Sequence, residues 1–583
     1  MSKFLLTTHI GKPVHRICQI ADKHGIRWHL ANHAGLSAYS FEKLCHPHPN
    51  YYQSENGDFV IVVGTWIYKK TTGLDAMKQL LSEFSPLKIG QLKKDIVGMW
   101  SAVFCKGNTC YVFNDHYGIY DICYSIEGNQ ICLGTMLHEV ALLTDKFEYD
   151  EHAFLMEAFQ LLTFPHRSIY KGINKLLGKE YCKIEFRENG SIKADVLPLK
   201  EEDYAIQYNY TDEITAIADL TALLKDYAAQ IDALFGNKGV YMTGGLDSRL
   251  VFAAYQAVGA DMTFRFGDGG GACAGDRLIV EQIAKAYGKE LKIFDWSPYP
   301  NTQEDDNDVI DLIGYSCWIE NGNIRSIRGF AKASEEEPFF AFGYFCEAIR
   351  LREWAETKGK FFSLDDYVDN YYLKGVVRDL YKDYDGYRQF VYEGHKKQLN
   401  GIGYKGDINR IPIDIFERFR WEMARFGDSR MEFMLNVFSY GFSLLSVPAI
   451  HELILSLPAD VIRDAKFQLK VIANINRELL DFDVFSHRRP YVVTKNLKKK
   501  RKMSVKTMGD YLFTLMPFIK PMATRLYKKK RYGMDAQRKK VLDAVGDEIP
   551  AWLDVSKFNG FWPRLNGLLK CQRYLRKERN LNI

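Results

Sequence analysis

Residues 239–248 combine an apolar stretch, two glycines, an acid and a hydroxyl in an order that suits phosphate chemistry. The run reads Gly-Val-Tyr-Met-Thr-Gly-Gly-Leu-Asp-Ser, and an apolar, helix-like stretch from Leu250 to Val258 follows it. Glycines allow a tight turn in which successive N–H groups point at one spot, and the positive end of the next helix adds to that field. The pattern predicts an anion cradle for phosphate or pyrophosphate, with Asp247 placed to hold a Mg²⁺ ion on the phosphates. An ordinary strand–turn–helix connection uses the same residue types and is the alternative.

A second polar segment follows an apolar run further along the chain. Phe339 to Phe342 is apolar, and Gly343-Tyr344-Phe345-Cys346-Glu347 comes directly after it. A strand that stops at glycine and then presents an acid is again a candidate for a site at a strand end. The alternative is a buried tyrosine and an exposed glutamate after a turn.

These two segments belong to a region in which helices and strands alternate from about residue 210. The spacing of apolar residues predicts a helix at 212–234, then strands at 239–242, 262–266 and 290–294 with helices at 250–258 and 276–287 between them. Such alternation is typical of a doubly wound parallel α/β sheet, in which ligands bind beyond the carboxyl ends of the strands. Residues 350–480 are predicted to be mainly helical.

Residues 1 to about 195 are predicted to be rich in β-structure instead. Phe59 to Val63 is a buried strand candidate that ends at Gly64, and residues 100–104 and 109–113 form a hairpin around Lys106-Gly107-Asn108. A second pair of strands is predicted at 119–125 and 130–134, and helical spacing occurs at 75–84 and 151–162.

Composition limits the class of protein. With 583 residues, 47% hydrophobic and 26% charged, the chain should form more than one globular domain. A net charge of +5 is small for this length and argues against a dedicated nucleic-acid binder. There is no apolar run long enough to span a membrane, and the apolar stretch among the first residues is too short for a signal peptide. The 11 cysteines are scattered without a C-x-x-C pair, which fits a cytoplasmic protein with mostly buried free thiols.

Together, these features resemble the asparagine synthetase, β-lactam synthetase and lasso-peptide cyclase family over roughly residues 55–490. Thr243 to Ser248 is similar to the Ser-Gly-Gly-x-Asp-Ser pyrophosphate loop, with Thr243 in place of the first serine. Residues 263–267, with Asp276 beyond them, resemble the strand and helix that line the adenosine pocket. Residues 343–347 resemble a Gly-x-Gly-Ser-Asp segment, and 454–458 with 466–469 resemble an "LP…K-x-x-L" helix pair.

The resemblance implies roles for particular side chains. The residues expected to bind ATP are Thr243, Gly244, Gly245, Asp247, Ser248 and Phe266. Asp247 and Glu347 are expected to hold Mg²⁺, although glutamate stands where the family has aspartate. Tyr344 falls where β-lactam synthetases place a catalytic tyrosine. Lys466, or Arg489 beside Arg488, is expected to balance charge on the phosphates; arginine there departs from the family's lysine.

The N-terminal half resembles the family's glutaminase-type domain. The matching segments are 95–104, 114–119, 170–173 and 176–178. A working glutaminase of this type needs a cysteine directly after the initiator methionine. Ser2 occupies that position, and a hydroxyl is a far weaker nucleophile than a thiolate at neutral pH. The half is therefore expected to be a scaffold.

The fold class implied is α/β plus α+β in three parts. An Ntn-hydrolase-like β-rich sandwich spans 1–200, a doubly wound ATP-pyrophosphatase domain spans 210–490, and a basic helical extension spans 491–583. The implied function is an ATP-dependent ligase that adenylates a carboxylate, releases pyrophosphate and transfers the acyl group to an amine without using glutamine. The carboxylate could belong to a small molecule, a glycan or a peptide.

Two alternatives remain open for the function. One is a lasso-type peptide macrocyclase that forms an isopeptide bond. The other is a nucleotide-binding scaffold without catalytic activity.

Residues 495–531 carry 13 Lys and Arg residues against one acid, Asp510, around the apolar stretch 511–519. Such a segment can dock peripherally on an anionic membrane or an acidic partner. The alternative is a solvated face of a helical extension.

Overall fold

In a computed structural model of the chain, the described residues are 2–9, 11–159, 163–208, 210, 212–268, 274–295, 310–312, 331–350, 361–373, 381–484, 534–558 and 562–582. The helices are α1 Lys12–Lys23, α2 Gly73–Glu83, α3 Ile89–Asp95, α4 Leu137–Thr144, α5 Glu151–Ala158, α6 Glu201–Tyr204, α7 Glu213–Leu234, α8 Leu246–Ala257, α9 Ala274–Ala286, α10 Leu364–Asp366, α11 Tyr384–Gly401, α12 Ile413–Phe438, α13 Pro448–Leu455, α14 Ala459–Ile462, α15 Lys466–Asn476, α16 Met534–Val545 and α17 Trp562–Asn582.

Residues 3–198 form two six-stranded antiparallel sheets. The first sheet has the order β10-β8-β9-β1-β3-β2 and the second β12-β11-β7-β6-β5-β4. Their strands are β1 Lys3–Thr7, β2 Trp28–His33, β3 Leu36–Phe41, β4 Tyr51–Gln53, β5 Phe59–Tyr68, β6 Ile96–Lys106, β7 Thr109–Asn114, β8 Cys123–Glu127, β9 Gln130–Gly134, β10 Asn174–Lys175, β11 Glu180–Phe186 and β12 Ile192–Pro198. The expected β-rich character of this region is confirmed.

Strand β5 is buried on both of its faces, which explains why residues 59–63 form a continuous apolar run. Ile61 and Val63 face the core shared with the first sheet, whereas Val60 and Val62 face α2 and α3 on the other side. All ten residues of β5 are buried, because the strand is covered on both faces. The prediction that this strand ends at Gly64 is wrong. Gly64 adopts a φ of 99° and pairs with Trp100, and the strand continues to Tyr68.

A five-stranded parallel sheet follows, with the order β15-β14-β13-β16-β19. Its strands are β13 Lys238–Tyr241, β14 Thr263–Asp268, β15 Leu291–Asp295, β16 Phe339–Ala341 and β19 Tyr440–Phe442, and a small antiparallel pair is formed by β17 Phe361–Phe362 and β18 Ile411–Pro412. The predicted parallel sheet is thus confirmed, as is the helix before it, whose N-cap Asp212 accepts a hydrogen bond from the Thr215 N–H at 2.7 Å. The domain boundaries near residues 200 and 490 stay predictions.

The strand order fixes where a ligand would bind. Along the chain, β13, β14 and β15 are laid down in one direction, and β16 then joins the opposite side of β13. The direction therefore reverses between β13 and β16. In open parallel sheets the crevice at such a reversal, beyond the carboxyl ends of the strands, is the usual ligand site.

The sequence predicts mostly buried free thiols, and one pair of cysteines differs from that prediction. Cys105 and Cys110 face each other across the β6–β7 hairpin and form a disulfide. The other described cysteines are buried or half-buried, and burial raises the pKa of the Cys123 thiol to about 12. Among the described residues, no helix combines the length and the apolar composition that crossing a membrane would require.

Candidate functional site at the carboxyl edge of the parallel sheet

The Thr243–Ser248 loop leaves the carboxyl end of β13 and runs directly into α8, which begins at Leu246. On the neighbouring strand, Phe342 to Arg350 leaves the carboxyl end of β16. Both polar segments predicted from the sequence therefore lie at one edge of the sheet, on either side of the reversal in strand order. This is the arrangement that a site between them requires.

Two hydroxyl groups fix the shape of the loop from within. The Thr243 N–H donates to Ser248 Oγ at 3.0 Å, and the Thr243 and Ser248 hydroxyl oxygens lie 3.1 Å apart. The Gly245 N–H donates to Thr243 Oγ1 at 3.2 Å. Ser248 is buried. A threonine in place of serine at 243 keeps the hydroxyl that these contacts need, so the substitution preserves the loop.

One backbone donor of the loop is directed at an anionic oxygen. The Gly244 N–H donates to Oδ1 of Asp276, on the first turn of α9, at 2.9 Å. A carboxylate oxygen on a backbone N–H at a strand end is the contact that a phosphate oxygen would make. The loop therefore binds an anion already, one supplied by the protein itself.

Gly343 brings the two segments into contact. A Cβ atom added at Gly343 would lie 2.8 Å from the Ser248 backbone nitrogen and 2.9 Å from the Asp247 carbonyl carbon. Only glycine leaves room for this approach of backbone to backbone. A glycine is thus required at position 343 for the segment after β16 to pack against the backbone of Asp247 and Ser248.

Asp247, the predicted Mg²⁺ ligand, is engaged by other side chains. Arg350 donates from Nη1 to Oδ1 at 2.9 Å and from Nη2 to Oδ2 at 2.8 Å, and the amide of the buried Gln468 donates to Oδ1 at 2.8 Å. A carboxylate whose two oxygens accept three hydrogen bonds, two of them from a cation, does not fit a divalent metal in this arrangement. Among the described residues, no group of three or more His, Cys, Asp or Glu side chains could hold a metal ion.

The second predicted metal ligand is Glu347. Its backbone lies in a short 3-10 turn at Cys346–Ile349, but its side chain lies outside the described part of the chain. The pairing of Asp247 with Glu347 therefore stays a prediction.

Arg249 connects the loop to a distant segment. Its buried guanidinium donates from Nη2 to the Gly244 carbonyl at 3.0 Å and from Nη1 to the carbonyls of Leu479 and Phe482 at 3.0 and 2.9 Å. It also donates to the Asp483 carbonyl. Burial lowers the pKa of Arg249 to about 10, so the group stays charged at neutral pH. The loop is held in place by residues more than 230 positions away.

The other site residues predicted from the sequence lie on neighbouring elements or outside the described residues. Phe266 is buried near the carboxyl end of β14, the strand beside β13. Tyr344 is half-buried with its ring stacked on Phe342 at 5.6 Å between centroids, and its carbonyl accepts from Ser443 Oγ at 2.7 Å. Lys466 is exposed at the start of α15, two residues before Gln468. Arg488, Arg489 and the basic stretch 495–531 lie outside the described residues.

Sequence reasoning missed Arg350, Gln468 and Arg249. Arg350 lies three residues beyond the segment 343–347, and Gln468 lies inside the 466–469 run, so both are close to segments that the sequence singles out. A cation following a predicted metal ligand was the available signal for Arg350.

Ser2 lies at a separate cavity of about 330 Å³. The Gly64 N–H donates to Ser2 Oγ at 2.9 Å, and the Tyr120 hydroxyl donates to the Ser2 carbonyl. The cavity is lined in part by residues at the amino ends of the parallel strands, Phe235, Pro338 and Tyr440. It therefore lies at the opposite end of the parallel sheet from the Thr243–Ser248 loop.

A buried polar cluster borders this cavity. Lys43 Nζ donates to the carbonyl of Asn436 at 2.9 Å and to its Oδ1 at 3.1 Å, and lies 4.5 Å from the centroid of the Tyr440 ring. Burial holds the pKa of Lys43 well below its ordinary value. The cluster joins the antiparallel half of the chain to α12 and β19.

No protein-family model and no curated protein matches the sequence. Solved structures with a distant likeness include glutamine phosphoribosylpyrophosphate amidotransferase from B. subtilis complexed with ADP and GMP, at 8% identity over 52% of this chain and 69% of that chain, with a TM-score of 0.23. An allosteric regulatory enzyme of purine biosynthesis aligns at 8% identity over 50% and 80%, with a TM-score of 0.24. The U34-tRNA thiolase from Methanococcus maripaludis, with its 4Fe-4S cluster, aligns at 14% identity over 54% and 82%, with a TM-score of 0.22. Scores this low carry no argument, so the site rests on its own geometry.

Proposed function

We propose that the chain is an ATP-dependent ligase that joins a carboxylate to an amine with release of AMP and pyrophosphate. The observation that supports it most is the Gly244 N–H, which holds an anionic oxygen at the reversal point of a parallel sheet. That donor belongs to a loop whose sequence resembles a pyrophosphate loop, and its shape is kept by Thr243 and Ser248. Backbone donors at this edge can hold the phosphates of ATP.

The proposed reaction has two displacements. A substrate carboxylate oxygen attacks the α-phosphorus of ATP, the bond to the β-phosphate oxygen breaks, and pyrophosphate leaves. The amine nitrogen then attacks the acyl carbon, the bond to AMP breaks, and the nitrogen loses a proton. The protein contributes mainly by positioning the reactants and stabilising charge.

Each side chain has a proposed part in these steps. When ATP binds, a phosphate oxygen takes the place of the Asp276 carboxylate at the Gly244 N–H, next to Gly245, and Phe266 borders the adenosine. Lys466, with Arg489, offsets charge on the departing pyrophosphate. Tyr344, next to Gly343, orients the attacking amine. No step is assigned to a metal ion at Asp247, because its oxygens are already engaged.

The nitrogen is proposed to come from an amine on a substrate and not from glutamine. Ser2 offers a hydroxyl where the resemblance requires a thiol, and that hydroxyl is buried and accepts a hydrogen bond from Gly64. A serine hydroxyl is a far weaker nucleophile than a cysteine thiolate at neutral pH.

The direct test is exchange of labelled pyrophosphate into ATP in the presence of candidate carboxylic acids. We expect exchange with the correct acid, and AMP release once an amine is added. Addition of glutamine should not replace the amine. Amide formation that depends on glutamine would contradict the proposed nitrogen source. It would leave the proposed adenylation of the carboxylate intact.

A second candidate is a nucleotide-binding scaffold without catalysis. It is favoured by the observation that Asp247 is held by Arg350 and Gln468, so that the acid most expected to serve catalysis is already engaged. Binding of ATP without pyrophosphate exchange, for every acid in the panel, would favour the scaffold over the ligase. Within the ligase class, exchange that requires a peptide acid would indicate the macrocyclase.

The basic segment 495–531 supports a separate proposal about location. Its charge would let the chain dock peripherally on anionic lipid near a membrane-linked substrate. Flotation with vesicles containing phosphatidylserine tests this, and absence of the protein from the floated fraction would end the proposal.

A further inference from the structure

Arg350 holds Asp247 in the most directional ion pair available to two side chains. Its two terminal nitrogens meet the two carboxylate oxygens at 2.9 and 2.8 Å, in the parallel geometry that guanidinium and carboxylate share. Arg350 is 31% exposed and Asp247 27% exposed, so the pair lies at the rim of the site and is reachable from solvent.

A buried amide reinforces this orientation. Gln468, with no exposed surface, donates to Asp247 Oδ1 at 2.8 Å from the first turn of α15. Asp247 is thus oriented by residues 103 and 221 positions away in the sequence. Gln468 acts as a positioning residue, because it contacts Asp247 and through it fixes the guanidinium.

A divalent cation and this ion pair exclude each other. Magnesium binds carboxylate oxygens at about 2.0–2.1 Å and demands open coordination positions. The Asp247 oxygens are covered by N–H groups, and a cation placed there would also face the guanidinium charge at short range. The positive charge that a metal would bring to phosphates is already present on Arg350.

The guanidinium retains donors for a ligand. Arginine carries five N–H groups, and the two bonds to Asp247 use two of them. The exposed part of Arg350 lies beside the loop in which the Gly244 N–H donates to an anionic oxygen. A polyphosphate at this edge would therefore meet a backbone donor and a fixed guanidinium together.

We propose that Arg350, positioned by Asp247 and Gln468, supplies the positive charge for the polyphosphate at this site, and that nucleotide binds here without a divalent ion held by Asp247. The inference rests on the nucleotide site of the proposed function. It assigns Asp247 to orienting an arginine instead of coordinating a metal.

The test is calorimetric titration of ATP into the full chain, with excess EDTA and separately with Mg²⁺. We expect the two dissociation constants to agree within about threefold. Arg350→Ala should weaken binding in EDTA at least tenfold, since a charge-assisted hydrogen bond is lost, and Arg350→Lys should recover part of it. The matched control is Arg463→Ala, because Arg463 is also 31% exposed and also pairs with an aspartate, Asp460, but lies outside the loop.

The outcomes separate the two proposals. ATP binding that needs Mg²⁺ would overturn the role of Arg350 and leave the ligase proposal intact. No ATP binding in either buffer would overturn both, because the nucleotide site would be absent.

A third measurement uses Mn²⁺ alone with electron paramagnetic resonance. Bound Mn²⁺ that disappears in Asp247→Asn would show a metal on this carboxylate and overturn the inference. Absence of such Mn²⁺ supports it.

Discussion

The Thr65 hydroxyl in β5 lies 2.5 Å from Oδ1 of Asn436 in α12, although 371 residues separate them. Asn436 has no exposed surface, and its amide donates to the Gly441 carbonyl at 3.1 Å. The Gly441 N–H returns to Thr65 Oγ1 at 2.9 Å, which closes a ring of hydrogen bonds between the antiparallel half and the parallel sheet. This ring and the hydrogen bonds of Lys43 to Asn436 connect the antiparallel half of the chain to the parallel sheet.

Asn436→Ala should therefore destabilise the chain strongly. The substitution removes the acceptor of the buried Thr65 hydroxyl, one of the two acceptors of Lys43 Nζ and the amide that donates to the Gly441 carbonyl. We expect this to cost about 2–4 kcal/mol in the free energy of unfolding. Urea denaturation followed by tryptophan fluorescence measures it. Asn400→Ala, at an exposed position near the end of α11, is the control and should change little. A loss under about 0.5 kcal/mol for Asn436→Ala would contradict the role of the ring.

His395 should make stability depend on pH below neutrality. It is packed among the rings of Phe164, Tyr367, Tyr372 and Phe419. Burial lowers its pKa to about 3. Since the unfolded chain takes up the proton near pH 6.5 and the folded chain only near pH 3, the stabilisation is complete above pH 6.5 and is lost as pH falls. About 2 kcal/mol should disappear between pH 7 and pH 5.

The variant His395→Phe tests this assignment, because phenylalanine fits an aromatic surround without a titrating group. The slope of unfolding free energy against pH should fall but not vanish, since burial also lowers the pKa of His138 and of His166 to about 4. His15→Phe, at an exposed position, should keep the wild-type slope. An unchanged slope in His395→Phe would show that other groups carry the pH dependence.

Gly343→Ala should separate the two loops at the carboxyl edge. The added methyl group would lie 2.8 Å from the Ser248 nitrogen, which backbone atoms can relieve only by moving. We expect a loss of about 1–3 kcal/mol in stability and at least tenfold weaker ATP binding, measured by calorimetry. Gly236→Ala is the matched control, because a Cβ there meets no atom within 4 Å. Equal ATP affinity in wild type and Gly343→Ala would place the nucleotide elsewhere.

Arg249→Met should release residues 479–483 from the loop. Methionine fills much of the volume but leaves four carbonyl oxygens without their donor, so we expect a loss of about 3 kcal/mol or more. Limited trypsin digestion should show faster cleavage at Arg477. The control is Arg463→Met, which also removes a partly exposed arginine but leaves the cleavage site at Arg477 in place. An unchanged digestion rate in Arg249→Met would contradict the clamp.

The elements that the sequence predicted correctly are those with a local physical cause. The apolar run 59–63, the turn at Gly107 and the helical spacing of residues 212–234 each depend on residues that are close in sequence, and the structure has a strand, a hairpin and a helix there. The loop 243–248 is likewise shaped by nearby residues, the Thr243 and Ser248 hydroxyls, while its role in binding a phosphate stays a prediction.

The parts that escaped prediction are pairings between distant residues. Asp247 carries a charge that is compatible with a metal ion or with an arginine, and only the approach of Arg350 and Gln468 decides between them. The same holds for Cys105 and Cys110, whose bond depends on the register of two strands. Residue types and their spacing along the chain do not show which distant side chains come into contact.

The Asp276 carboxylate on Gly244 acts as a tethered competitor for every anion that reaches the loop. A group attached to the same chain competes at an effective concentration on the order of millimolar or higher. A single-charged anion at ordinary levels would then displace it poorly, whereas a ligand with several charged oxygens could do so and also engage Arg350. The Asp276 contact would in this way disfavour common small anions and favour ligands whose charge is spread over more than one phosphate.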